Sequence, residues 1–152
     1  MAKEPWGYTL FCDDVREEIT GKYSLIGVYR QDLIIQGTLP AKLSKLCLVV
    51  NYVQPANAPK LPLTLKVFLP GVETPISIDV DLSQIPDQAI EDPENQQIKF
   101  QAVMALADLL LQEAGTIKVR VYRNDVEIKC GGIKVYAMQP EEISEAPTKP
   151  AA

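Results

Sequence analysis

The chain predicts an all-β fold, an antiparallel β-sandwich of about eight strands. Three observations point there. Apolar and polar residues alternate at period two along several short segments, as half-buried strands require. Twelve prolines and eight glycines punctuate those segments. The connections between them are tight turns, with no helix-length crossovers. At 152 residues the chain can bury about 70% of its unfolded surface. A composition of 47% hydrophobic and 23% charged residues suits one globular domain.

Residues 1–6 are expected to be a flexible lead-in, 7–138 the sandwich, and 139–152 a disordered tail rich in proline and acid. The first strands come from "LFCDDVREEITGKYSLIGVYRQDLII", residues 10–35. Phe11, Val15 and Ile19 share a face at period two, and Ile26, Val28 and Ile34 continue one face of the partner. Gly21-Lys22 suits a two-residue type II′ turn, with glycine first. That register pairs Thr20 with Tyr23, Val15 with Val28 and Asp13 with Arg30, matching apolar with apolar and acid with base. A three-residue loop, setting Asp13 against Tyr29, fits the pattern less well.

"KLCLVVNYVQP" is a strand rich in Val and Leu that ends before Pro55. "PLTLKVFLPG" alternates Leu63, Leu65, Val67 and Leu69 against Thr64 and Lys66. "TPISIDVDLSQIP" turns Ile76, Ile78, Val80 and Leu82 inward and Ser77, Asp79, Asp81 and Ser83 outward. "DQAIEDPENQQ" is a polar loop with a turn at Asp92-Pro93. "FQAVMALADLLLQEAG" carries both periods, since Phe100, Val103, Met104, Ala107 and Leu111 fit a helix while Ile98, Phe100, Ala102, Met104 and Leu106 fit a strand. Strands on either side favour a strand over 97–106, with an irregular or one-turn helical corner at 107–114. Next, Ile117, Val119 and Val121 face in, and an Asn124-Asp125 turn returns the chain through Val126, Ile128 and Cys130. Gly131-Gly132 then breaks the alternation as a bulge does.

Two resemblances follow from these residues. "LLLQEAGTIKVRVYRND" resembles the corner of immunoglobulin-like and fibronectin-like sandwiches, with Ile117 where those domains usually carry tyrosine. "FCDDVREE" followed by "GKYSLIGVY" resembles the start of a family of uncharacterised small bacterial and phage β-sandwich proteins, which opens with a Phe-Cys-Asp-Asp-x-Arg motif. The second resemblance implies a fold and a phage or bacterial-defence setting, and no established activity.

The residues narrow the chemistry. The sequence contains no histidine, so Ser-His-Asp and Cys-His catalysis, His-ligated zinc and His pH switches are excluded within this chain. Cys12, Cys47 and Cys130 lack metal-ligand spacing and read as reduced core thiols. The net charge of −5 disfavours nucleic acid as a partner. No apolar run reaches the length of a membrane span, and a cytoplasmic setting is expected. Asp13 shares a face with Phe11 and Val15, so burial would demand a partner, and Arg30 is the expected one in a structural ion pair. Asp14 and Arg16 are candidate binding residues on the opposite strand face. Lys118, Arg120, Tyr122 and Lys129 form a candidate basic-aromatic binding stripe on one hairpin. No catalytic residues, metal ligands or cofactor are assigned. The expectation is a non-enzymatic module that binds another protein, or a second copy of itself, through its sheet edges and first hairpin. The rival readings are a divalent-metal hydrolase of the phosphodiesterase kind built on Asp13 and Asp79–Asp81, and a binder of small anions or nucleotides.

Overall fold

The computed structural model describes residues 4–84, 91, 92, 94, 96–139 and 141. Among these the chain forms strands β1 (Trp6–Glu17), β2 (Tyr23–Val28), β3 (Asp32–Gln36), β4 (Ala41–Pro55) and β5 (Leu63–Phe68). They are followed by β6 (Ile76–Val80), β7 (Glu91–Asp92), β8 (Gln97–Leu111), β9 (Gly115–Arg123) and β10 (Val126–Met138). Two five-stranded sheets result. The first has the order β2-β1-β4-β8-β7 and the second β3-β10-β9-β5-β6. All neighbours are antiparallel except β3, which runs parallel to β10. The fold is all-β and sandwich-like, as the alternation predicts. Most of the acidic loop before β8 lies outside the described residues, as does the tail apart from Gln139 and Glu141.

The core forms where the inner faces meet. Phe11, Leu46, Leu48, Val50, Tyr52 and Met104 come from the first sheet, and Leu33, Leu65, Val67, Ile117, Val119 and Val135 from the second. The period-two readings of β5 and β9 hold at these positions; on β10 Cys130 is buried as expected, but Val126, expected to face in, is 66% exposed beside the turn. Ile78 differs: it lies 42% exposed on β6, the edge strand of its sheet among the described residues. The Asn124-Asp125 turn forms, with Arg123 opposite Val126 and Asn124 at φ 54°. The register shifts between Lys129 and Gly132, placing the bulge at Gly131 with φ 96°.

The opening hairpin differs from its expected register. Val15 lies opposite Leu25 and Glu17 opposite Tyr23, so residues 18–22 form the loop. Inside it the Gly21 N–H donates to the Glu18 carbonyl at 3.0 Å and the Glu18 N–H to Lys22 at 2.7 Å. Gly21, at φ 82°, thus closes a turn that begins at Glu18 instead of opening one, and Ile19 is fully exposed at the tip. The chain then crosses to the second sheet as β3, where Leu33 is buried and Ile34 exposed.

The ambiguous stretch at 97–111 is a single strand. Asp108 sits at φ 50°, the left-handed region that aspartate tolerates better than most residues. Register is kept across it, with Leu46 opposite Leu106 and Leu43 opposite Leu109. All four pack on the core although each pair is separated by three residues. The helix-like spacing thus arises from a strand that changes face at one residue.

Candidate interaction surface

β1 begins at Trp6, inside the segment expected to be a lead-in, because Trp6 pairs with Val53 on β4 and its ring stacks on Tyr8 with centroids 5.7 Å apart. From there the outer face of the first sheet can be read row by row from the ladder. Tyr8, Asn51 and Gln101 form one row. Leu10, Val49 and Val103 form the next, followed by Cys12, Cys47 and Ala105, with Val28 beside Cys12 on β2. Asp14, Lys45 and Ala107 come after, with Ile26 beside Asp14.

Trp6, Tyr8, Leu10, Ile26, Val28 and Val103 are each between 38% and 48% exposed on this face. Beneath them Cys12, Cys47, Val49 and Val53 are buried, so β4 is covered on both sides. A sandwich needs only its inner face dry. Contiguous apolar patches of more than a few hundred Å² are uncommon on monomers and mark interaction sites.

Polar pairs bound the apolar rows at both ends. Gln101 Nε2 donates to Asn51 Oδ1 at 2.9 Å, and Lys45 Nζ to Asp14 Oδ1 at 2.6 Å. The Lys45 ammonium holds the Asp14 carboxyl below its ordinary pKa. At the aromatic end a depression of about 370 Å³ is walled by Trp6, Tyr8, Asn51, Val53, Lys99 and Gln101. Another, of about 450 Å³, lies where Trp6 meets Arg123, Val126, Ile128 and Lys129.

The outer face of the second sheet is of the opposite kind. Lys66 lies 5.1 Å from the Tyr122 ring centroid, the Tyr122 hydroxyl donates to Glu127 at 3.2 Å, and Arg120 pairs with Glu127 at 3.6 Å. Lys134 stacks on Tyr136, which donates to Asp32 at 3.3 Å. This is a wet face whose charges answer one another.

The candidate residues named from sequence are thereby divided. Asp14 and Arg16 lie on β1 at the charged end of the apolar face. Lys118, Arg120, Tyr122 and Lys129 lie on β9 and β10, on the outer side of the other sheet. Asp13 lies on the Phe11 side of β1 but is exposed there, not buried as the ion-pair reading supposed, and the Tyr29 hydroxyl donates to its Oδ1 at 2.6 Å. Tyr29, not Arg30, supplies its partner, because the observed register places Asp13 across from Gly27. The acids of the rival hydrolase reading are not brought together. Asp79 accepts from Thr64 at 3.0 Å on β6, and Asp81 accepts from Ser83 just beyond it. Among the described residues there is no group of three or more Cys, Asp or Glu able to hold a metal ion. Among them, too, no helix is long and apolar enough to cross a membrane.

A family model matches residues 7–135, from β1 to β10. The chain belongs to the DUF6941 family, a family of unknown function. No curated protein matches it. The DUF6941 match spans both sheets and ends before the acidic tail, so the apolar face lies almost wholly within it, with Trp6 one residue outside.

Sequence reasoning missed Trp6, Tyr8, Leu10 and Val103 as a surface. The signal was present in "LFC" at 10–12 and "LCLVV" at 46–50. Where consecutive residues are apolar, both faces of a strand are, and in a two-layer fold one of those faces looks outward.

Proposed function

We propose that this DUF6941 chain is a non-enzymatic binding module for a protein partner, working through the outer face of its first sheet. The observation that carries this reading is the contrast between the two outer faces. One carries an ion pair, cation–π contacts and tyrosine hydrogen bonds; the other presents Trp6, Tyr8, Leu10, Ile26, Val28 and Val103 half-exposed. An apolar centre with aromatic anchors and a polar rim is the anatomy of a protein-binding surface. The sheet edges and the first hairpin, expected from sequence to carry binding, are secondary here. The hairpin contributes Ile26 and Val28 to the same face.

A photo-reactive phenylalanine analogue in place of Tyr8, in the full chain expressed in its native host, tests the reading. The same analogue at Lys118, on the polar face and away from Trp6, serves as the control. A discrete adduct from position 8 and none from position 118 is expected. Adducts from position 118 alone, or none from position 8, overturn the assignment of the face.

A further inference from the structure

We infer that the occupant of this face is a second copy of the chain, packed sheet on sheet about a two-fold axis that lies across the strands. The inference rests on the reading of the face as a binding surface and adds its partner.

The face complements itself in shape. Leu10 and Val103 stand out from one row, while in the next Cys12 and Cys47 are buried and Ala105 is small and exposed. A two-fold axis running between these rows, perpendicular to the strands, exchanges them, so Val103 of each copy settles on Ala105 of the other and Leu10 lies over the low row beside Val28. An isologous interface demands this kind of self-complementarity. The alternative axis, parallel to the strands along β4, sets Leu10 against Val103 and brings Lys45 onto Lys45 of the other copy, a like-charge contact. Aligned sheets cross at about 30°. Rows next to the axis move least under that rotation, so the fit survives where it matters.

Charge agrees. The same axis brings the aromatic and amide end, with Trp6, Tyr8, Asn51 and Gln101, onto the charged end of the other copy, with Asp14, Lys45 and Arg16. No acid meets an acid and no base meets a base. Asp14 lies within the reach of a tyrosine hydroxyl, and Arg16 comes toward an indole, a favourable cation–π neighbour. The six half-exposed apolar side chains present on the order of 500 Å² of apolar surface, the greater part of the roughly 800 Å² each partner gives to a standard-size interface.

Sedimentation velocity on the full chain at up to about 100 µM reads the assembly directly. A dimer is expected. Leu10→Glu should weaken it at least tenfold, while Lys118→Glu on the polar face should leave it intact, with unchanged circular dichroism in both. Should Leu10→Glu misfold, Tyr8→Lys takes its place, since that side chain is half-exposed on the outer face. A monomeric wild type, or a dimer indifferent to both outer-face variants, overturns the inference. Orientation has its own reading. A bismaleimide added to a mixture of Gln101→Cys and Ala107→Cys chains should join the two variants to each other. The native thiols are buried and stay silent. Joining only of like with like overturns the proposed axis. A monomeric wild type that still yields a position-8 adduct with a different protein ends the second-copy inference and leaves the binding reading standing.

Discussion

The Tyr29 hydroxyl donates to the Asp13 carboxylate at 2.6 Å across the bare Cα of Gly27. The three residues form one device. Gly27 sits at φ 68°, and a Cβ built on it would lie 2.8 Å from Asp13 Cγ. The carboxylate occupies the space that any other residue's side chain would fill. Gly27→Ala should therefore lose both the left-handed backbone and the bond beside it, costing about 1–3 kcal/mol in urea unfolding. Gly21→Ala, at φ 82° with open space around it, should cost less, since only backbone strain is at stake.

Two phenols make the fold sensitive to alkali. Burial, followed by the Asp13 carboxylate, pushes the Tyr29 pKa up to about 12, and burial does the same for Tyr52, also to about 12. Each ionises in the unfolded chain near its ordinary value of 10.0. Between pH 10 and 12 the unfolded state has therefore lost protons that the native state still holds, and stability falls as pH rises. Below pH 10 both states are protonated and the contribution is complete. A urea midpoint followed from pH 8 to 12 should be level at first and then decline. Tyr29→Phe should flatten part of that decline.

Gln54 is a buried polar side chain with 0% exposure. It accepts from the Tyr52 hydroxyl at 2.7 Å and reaches the Ala58 carbonyl at 3.4 Å, tying the loop after β4 to the core. Arg123 secures the same loop through the Pro59 carbonyl at 2.6 Å. Gln54→Leu leaves the Tyr52 hydroxyl without its acceptor and should cost about 1–3 kcal/mol. Tyr52→Phe combined with Gln54→Leu should cost less than the sum of the two single changes, which a double-mutant cycle measures.

All three thiols are buried. Burial raises the Cys12 and Cys130 pKa values, and the neighbouring Cys47 adds to the rise at Cys12. Thiolate attack on an aromatic disulfide reagent should be slow in the native protein and fast in urea. Rapid native labelling of Cys12 would show that the first sheet opens locally at β1.

Much of the sandwich was legible because strands such as β5 and β9 obey simple alternation. Leu63, Leu65 and Val67 face in, and Thr64 and Lys66 do not, so β5 could be oriented by inspection. The first hairpin was misaligned for a definite reason. Matching Asp13 with Arg30 and Val15 with Val28 assumed that local charge and hydrophobicity set the register, whereas Gly27 and the Glu18–Lys22 loop set it. No pairing rule anticipates that Tyr29 reaches diagonally over a glycine. Asp108 was hidden for a related reason, since a left-handed residue within a strand changes the period without changing the composition. The apolar outer face escaped notice because alternation asks which face is dry and stops once it finds one.

The middle of β4 has a bearing on how the chain is made. From Leu46 to Val50 every residue is buried, so a slip of one position exchanges one oily set for another at little cost. Resistance comes from the ends, where a slip would turn Lys45 toward the interior and pull Gln54 from Tyr52. During synthesis β4 emerges long before β8 exists to cover it. Until then its oily middle is open to pairing with another chain, which makes that interval the one in which aggregation competes hardest with folding.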